Sequence, residues 1–385
     1  MLIALLLLSL QSLIAQIRMG SERMELLLPL LRDKRVGLMV NQSSVVGPRQ
    51  THLLDTLLSQ GVAISKIFVP EHGFRGNVDA GKRVRSDIDD KTGLPIVSLY
   101  GKHKRPTKAM LENVDVLLFD IQDVGLRFYT YISSMHYLMD AAAEYGQEVI
   151  VADRPNPNDF IDGPILEADC RSFVGIHPIP IAHGLTVGEL ARMINGEGWL
   201  TSGKRQCKLS VVPMTGWTHG QPYALPIPPS PNLPNSKSIE LYPSLCIFEA
   251  TIMSVGRGTD LPFQSISYPH KAFGKYLYIP EPRRGADLNP RHKGRKSYGI
   301  DLRQHSMEKG TIDLSLLVHY YSVAQRQGLE LVNQNQMFSL LMGNKRILPM
   351  LRRGMSAQDI RATWLPALEH YKLKRSQYLL YPDYK

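Results

Sequence analysis

Residues 114–125 read V-D-V-L-L-F-D-I-Q-D-V-G. Four large apolar side chains, Val116 to Phe119, run straight into Asp120, with Asp123 three residues further on. A run that is apolar on both sides of the chain has no solvent face, so it suits a strand buried on both faces of a sheet. The same pattern recurs on either side. Arg35–Val40 ends at Asn41, Ile64–Val69 leads through Pro70 to Glu71, Leu94–Leu99 is a further apolar run, and Glu148–Ala152 ends at Asp153. Helices are expected between them at Arg49–Ser59, Thr107–Leu111 and Ile132–Tyr145. This alternation predicts an α/β fold built on a parallel sheet covered on both faces. In such sheets ligands bind beyond the carboxyl ends of the strands. Asn41, Glu71, Asp120 and Asp153 are therefore expected to converge on one rim. The turn after the first strand, N-Q-S-S-V-V-G, lacks the glycine-rich phosphate fingerprint, which disfavours a nucleotide ligand.

From Gly184 the pattern changes. H-G-L-T-V-G-E (183–189) opens a helix to Asn195, and Lys208–Pro213 reads as a further strand. A proline-rich passage from Pro222 to Pro234, centred on P-I-P-P-S-P-N-L-P, marks a long loop or linker. The expected division is a signal segment at 1–16, a first domain at 17–220 and a second at 221–385, with helices around 313–327 and 355–370. The second domain is expected to return residues towards the cleft.

A chain of 385 residues exceeds one typical core, in keeping with two domains. Its 43% hydrophobic and 21% charged residues are those of a folded globular protein. A net charge of +10 favours anionic partners. No basic helix interleaved with aromatics is present, so nucleic acid is not supported. Met1–Ile14 is nearly unbroken Leu and Ile, too short for a membrane span but fitting a secretory signal cleaved near Ala15 or Gln16. The expectation is export to a periplasm, with no stable membrane span. Cys170, Cys207 and Cys246 match neither a disulfide framework nor a zinc cluster, and no disulfide, metal or cofactor is expected.

Glu71-His72-Gly73, followed by Arg75, gathers an acid, an imidazole and a guanidinium around glycines, and suits general acid/base work. The plainer reading is a loop staple between Glu71 and Arg75. Asp120 and Asp123 offer a pair of carboxylates; otherwise Asp123 caps a turn or pairs with Arg127. Asp153-Arg154-Pro155-Asn156 combines an acid, a forked donor and an amide in a stiff loop suited to sugar or carboxylate binding, or to an ordinary turn. Thr186-x-x-Glu189 is a capping box, which explains Glu189 without chemistry. Glu249 and Arg257 lie in a polar, glycine-bearing run of the second domain. The absence of G-x-S-x-G, H-E-x-x-H and Walker motifs leaves carboxylate chemistry in front.

Together V-P-E-H-G-F-R-G, D-I-Q-D-V-G-x-R-F-Y-T-Y, D-R-P-N-P, H-G-L-T-V-G-E-L, P-S-P-N-L-P and F-E-x-T…S-x-G-R-G-T-x-x-P-F resemble the exo-acting β-N-acetylmuramidases of glycoside hydrolase family one hundred and seventy-one. The likeness runs from about Lys34 to the Y-L-L-Y at 378–381. It implies a Rossmann-like first domain, a second α/β domain and a cleft between them. It further implies release of terminal β-linked N-acetylmuramic acid from the non-reducing end of peptidoglycan fragments. On this reading Glu71 is the general acid/base, tuned by His72 or a neighbouring acid. The second carboxylate is Asp120, Asp123, Glu189 or Glu249, or is replaced by the acetamido group of the substrate. Asn41, Arg75, Asp153, Asn156 and Glu249 are expected to bind substrate, and Arg154 or Arg257 to grip the lactyl carboxylate. The chain departs from the family pattern where F-E-G-T-N becomes Phe248-Glu249-Ala250-Thr251-Ile252, and at Ser297, where a cysteine is expected. A non-catalytic glycan-binding protein and a metal-dependent hydrolase are the competing readings.

Overall fold

The computed structural model describes residues 16–70, 87–101, 103–201 and 206–384. At its centre, six parallel strands are joined by one antiparallel edge strand. Their order is Lys208–Val212, Glu148–Ala152, Val116–Asp120, Val36–Val40, Ile64–Val69, Pro95–Ser98 and, antiparallel, Asp87–Ile88. The apolar runs fold as expected because alternate side chains serve opposite layers. Leu117, Phe119, Val149 and Val151 pack on one face with the helices Tyr131–Tyr145 and Val187–Gly196. Val36, Leu38, Val116, Leu118 and Ile150 pack on the other with Met24–Leu31 and Leu53–Ser59. Each layer is dry, which is why these strands carry no polar face.

Three expected helices differ in detail. The 49–59 segment begins with a two-residue strand, Thr51–His52, and its helix is Leu53–Ser59. Residues 107–111 form consecutive turns rather than a helix, and Asn113 at φ 61 ends the winding. The 355–370 segment is two helices, Ala357–Ala362 and Leu365–Arg375, with Pro366 in the first turn of the second, where its missing N–H is harmless.

The second unit begins with the helix Ser236–Leu245 after the proline-rich loop. It holds a three-stranded antiparallel sheet with Ser297–Asp301 between Ser265–Tyr268 and Tyr276–Tyr278, and helices at Ser315–Arg326, Asn335–Met342 and Ile347–Arg352. Phe248, Phe263 and Tyr320 share one continuous apolar cluster with Phe119 and Met135 of the first unit. The units are therefore fused through a common core. All three cysteines are buried and unbridged. Among the described residues no helix is long and apolar enough to cross a membrane.

The chain's last described stretch returns to the first unit. Tyr381 donates its hydroxyl to Asp153 at 2.5 Å, the Leu380 amide donates to Glu189 at 2.8 Å, and the His219 amide donates to the Pro382 carbonyl at 3.0 Å. His219 sits between Glu189 (3.1 Å) and Asp159 (3.0 Å). Burial works against its charge, but the two carboxylates prevail and hold the imidazolium up to about 9.

Candidate active site

The strand ends place Asn41, Asp120 and Asp153 along the carboxyl edge of the sheet. Glu71, His72 and Arg75 lie outside the described residues. The buried polar groups on this edge divide into those closed on one another and those with an atom left open.

Asp120 and Arg154 form a closed pair. The guanidinium donates through Nε at 2.6 Å and Nη2 at 2.8 Å, and the side chains are 0% and 2% exposed respectively. Such a bidentate fork satisfies both carboxylate oxygens. Its remaining donor contacts the Met19 sulfur, so Arg154 faces the protein interior. Asp153 accepts from the amides of Arg154 (2.9 Å) and Gly188 (2.7 Å) and the hydroxyls of Thr186 (2.7 Å) and Tyr381 (2.5 Å). Burial and the nearby Glu189 carboxylate push it up to about 7 despite those donors. Glu189 closes the capping box on the Thr186 amide at 2.9 Å and takes His219 and Leu380 on its other oxygen. Asn156 accepts from Asn158 and donates to the Leu185 carbonyl. It also lies beneath Gly125, where φ is +77° and an added Cβ would meet its Oδ1 at 2.0 Å. The structure thus joins these five residues to the frame of the rim.

Asp123 differs. Its Oδ2 accepts the Gly125 amide at 2.6 Å, while Oδ1 has no partner. The buried His183 ring stands 3.9 Å away; its Nδ1 accepts the Leu185 amide, so Nε2 carries the proton and faces Asp123. Burial pushes the Asp123 carboxyl up to about 7 and the His183 imidazole down to about 3, so at neutral pH the ring is uncharged and the acid is near half-protonated. Asn41 likewise binds Ser43 through Oδ1 and leaves Nδ2 unpaired.

The raised Asp123 carboxyl has a signed consequence. The folded state holds a proton that the unfolded carboxyl, at 3.8, has released, so this contribution to stability is full below pH 4 and lost as pH rises towards about 7. Urea titrations at pH 5 and 7.5 are expected to show the wild type losing more stability across that interval than Asp123→Asn. Equal losses would mean that Asp123 does not titrate there.

Glu249 and Arg257 meet at the border of the two units. Arg257 Nε donates to Glu249 at 2.6 Å, and the side chains are 23% and 30% exposed. The guanidinium lies 5.1 Å over the Phe263 ring, while its terminal nitrogens hydrogen-bond no described residue. On one side is a hollow of about 170 Å3 lined by Tyr129, Asn232, Leu233, Tyr242 and Phe263. On the other is a more open hollow of about 470 Å3 bordered by Asp287, Asn289 and Arg291. Gln42 and the Tyr129 hydroxyl hold the intervening loop through the Pro229 carbonyl, at 3.2 and 2.9 Å. Sequence reasoning missed Gln42, Tyr129, Asn232 and Tyr242. Tyr129 and Asn232 stood inside quoted motifs, F-Y-T-Y and P-S-P-N-L-P, and only their spatial meeting gives them a role. Among the described residues no group of three or more His, Cys, Asp or Glu could hold a metal ion.

A family model described as exo-beta-N-acetylmuramidase NamZ, N-terminal, matches residues 36–237, and its C-terminal counterpart matches residues 240–381. The chain belongs to the NamZ family. It is 37% identical over 370 residues to the peptidoglycan beta-N-acetylmuramidase NamZ of Bacillus subtilis strain 168, covering 91% of this chain and 88% of that protein. Two crystal structures of DUF1343 family proteins from Bacteroides fragilis NCTC 9343 share the fold. One is 43% identical with a TM-score of 0.87 and covers 96% of this chain and 100% of its own; the other is 31% identical at 0.81 and covers 95% and 99%. The family expected from the sequence motifs is the one found, and the Rossmann-like sheet with a second domain is the NamZ architecture.

Proposed function

We propose that this chain is an exported exo-acting glycosidase that hydrolyses terminal β-linked N-acetylmuramic acid from the non-reducing end of peptidoglycan fragments. The strongest support is kinship, over nine-tenths of the chain, with a peptidoglycan β-N-acetylmuramidase. The guanidinium of Arg257 adds to it: fixed through Nε by Glu249, it keeps its terminal nitrogens for a carboxylate such as the lactyl group. Arg154, closed on Asp120, leaves that role to Arg257. Glu71 directly follows Pro70 at the end of the Ile64–Val69 strand and is the proposed general acid. Of the candidate second carboxylates, Asp123 and Glu249 keep an unclosed or solvent-facing side, whereas Asp120 and Glu189 are locked. Export rests on the apolar Met1–Ile14 run.

The test is paired turnover of para-nitrophenyl β-glycosides of N-acetylmuramic acid and N-acetylglucosamine. The expected result is hydrolysis of the muramic glycoside alone, with Arg257→Leu raising KM for it. Binding of both without turnover would favour a glycan-binding protein and sink the enzymatic reading.

A further inference from the structure

The hollow beside Arg257 contains a feature that the proposed reaction does not yet use. Asn232, from P-S-P-N-L-P, is 2% exposed, and its Nδ2 donates to the Ala286 carbonyl at 3.3 Å. That bond fixes the amide's orientation, so the other terminal atom is Oδ1, an acceptor. This Oδ1 has no hydrogen-bond partner. A buried acceptor left unpaired is costly, and at a ligand site its missing partner is a ligand donor. The hollow's volume of about 170 Å3 is below the roughly 300–1,000 Å3 typical of a pocket for a whole drug-sized ligand, so it suits one substituent rather than a sugar chain. Its walls mix the rings of Tyr129, Tyr242 and Phe263 and the Leu233 side chain with the polar Ser230, Asn232, Glu249 and Arg257, a lining suited to a small group that is part polar and part methyl. Glu249 and Arg257 border the same space and are paired with each other through Nε, so the Asn232 lone pair is the position that calls for a donor.

Resting on the proposed muramidase activity, we infer that this hollow receives the acetamido group of the terminal sugar and that Asn232 Oδ1 accepts its N–H. A carboxylate has no proton to offer there at neutral pH, which separates this position from the lactyl group. The two substituents are neighbours on the muramic ring, and Arg257, standing between the two hollows, borders both positions. Asn232 is thus a specificity-determining residue that reads an amide by its proton.

The test compares kcat/KM for para-nitrophenyl β-N-acetylmuramide and for its analogue with acetoxy in place of acetamido, of the same shape but without the N–H. The wild type is expected to prefer the acetamido substrate, and Asn232→Leu to lose roughly tenfold to a hundredfold of that preference. Because the ratio is taken within one preparation, partial misfolding cancels; if Asn232→Leu yields no folded protein, Asn232→Ser is measured instead. An unchanged preference in the variant would overturn the role of Asn232 while leaving the enzyme intact. A loss seen only with a lactoyl N-methylamide substrate would place the amide at the lactoyl position and overturn the acetamido assignment. No turnover of the acetamido glycoside by the wild type would instead overturn the underlying muramidase reading.

Discussion

Glu71→Gln is expected to lower kcat on a natural muramyl disaccharide by about 10²–10⁴-fold, the usual contribution of a positioned general acid. The fall on the para-nitrophenyl glycoside is expected to be much smaller. Nitrophenolate departs readily as an anion and scarcely needs protonation, whereas the sugar hydroxyl of the natural leaving group does. That contrast isolates the role. A residue that instead attacked the anomeric carbon, or merely held the ring, would slow both substrates alike. The measurement is kcat for both substrates with wild type and variant; equal losses would refute Glu71 as the acid. Glu71 is the candidate because in the sequence it directly follows Pro70, the residue after the Ile64–Val69 strand, and carries a carboxyl group.

Breaking the Asp120–Arg154 pair is expected to be the costliest structural change. Arg154→Met leaves a fully buried carboxylate without its cation, a loss of about 3–5 kcal/mol for such pairs. The double variant Asp120→Asn, Arg154→Met removes both charges and is expected to recover part of the loss, because much of the penalty is the orphaned charge rather than the attraction. Urea unfolding at neutral pH measures this directly. Were Arg154 a receptor for the lactyl carboxylate, its replacement would raise KM and leave stability nearly unchanged. That outcome would overturn the interior role that the geometry gives it.

The sheet was readable because its physics is local. A strand buried on both faces must be continuously apolar, and Val116–Phe119 and Val149–Ala152 obey that rule. The family was readable because its motifs are long. Arg154 and Asp153 were harder. An acid and a guanidinium in a stiff loop look the same in sequence whether they face a ligand or one another, and only the distances to Asp120 and Tyr381 separate the cases. Asn232 was harder still. Its hollow is assembled from loop residues about a hundred positions apart, and an unpaired acceptor leaves no trace in composition. The 107–111 segment shows the limit at short range, since five residues carry too little periodicity to distinguish successive turns from a helix.

The tail that ties Tyr381 to Asp153 and Leu380 to Glu189 also constrains the order of folding. Those bonds join residues 228 and 191 positions apart. Asp153 and Glu189 therefore gain these donors only when the far end of the chain has folded back onto the first unit. Contacts of such long range slow folding, because the loop must be ordered before any of its bonds form. In this chain the last segment thus finishes the unit that was begun first, so the two parts are made in sequence but completed together.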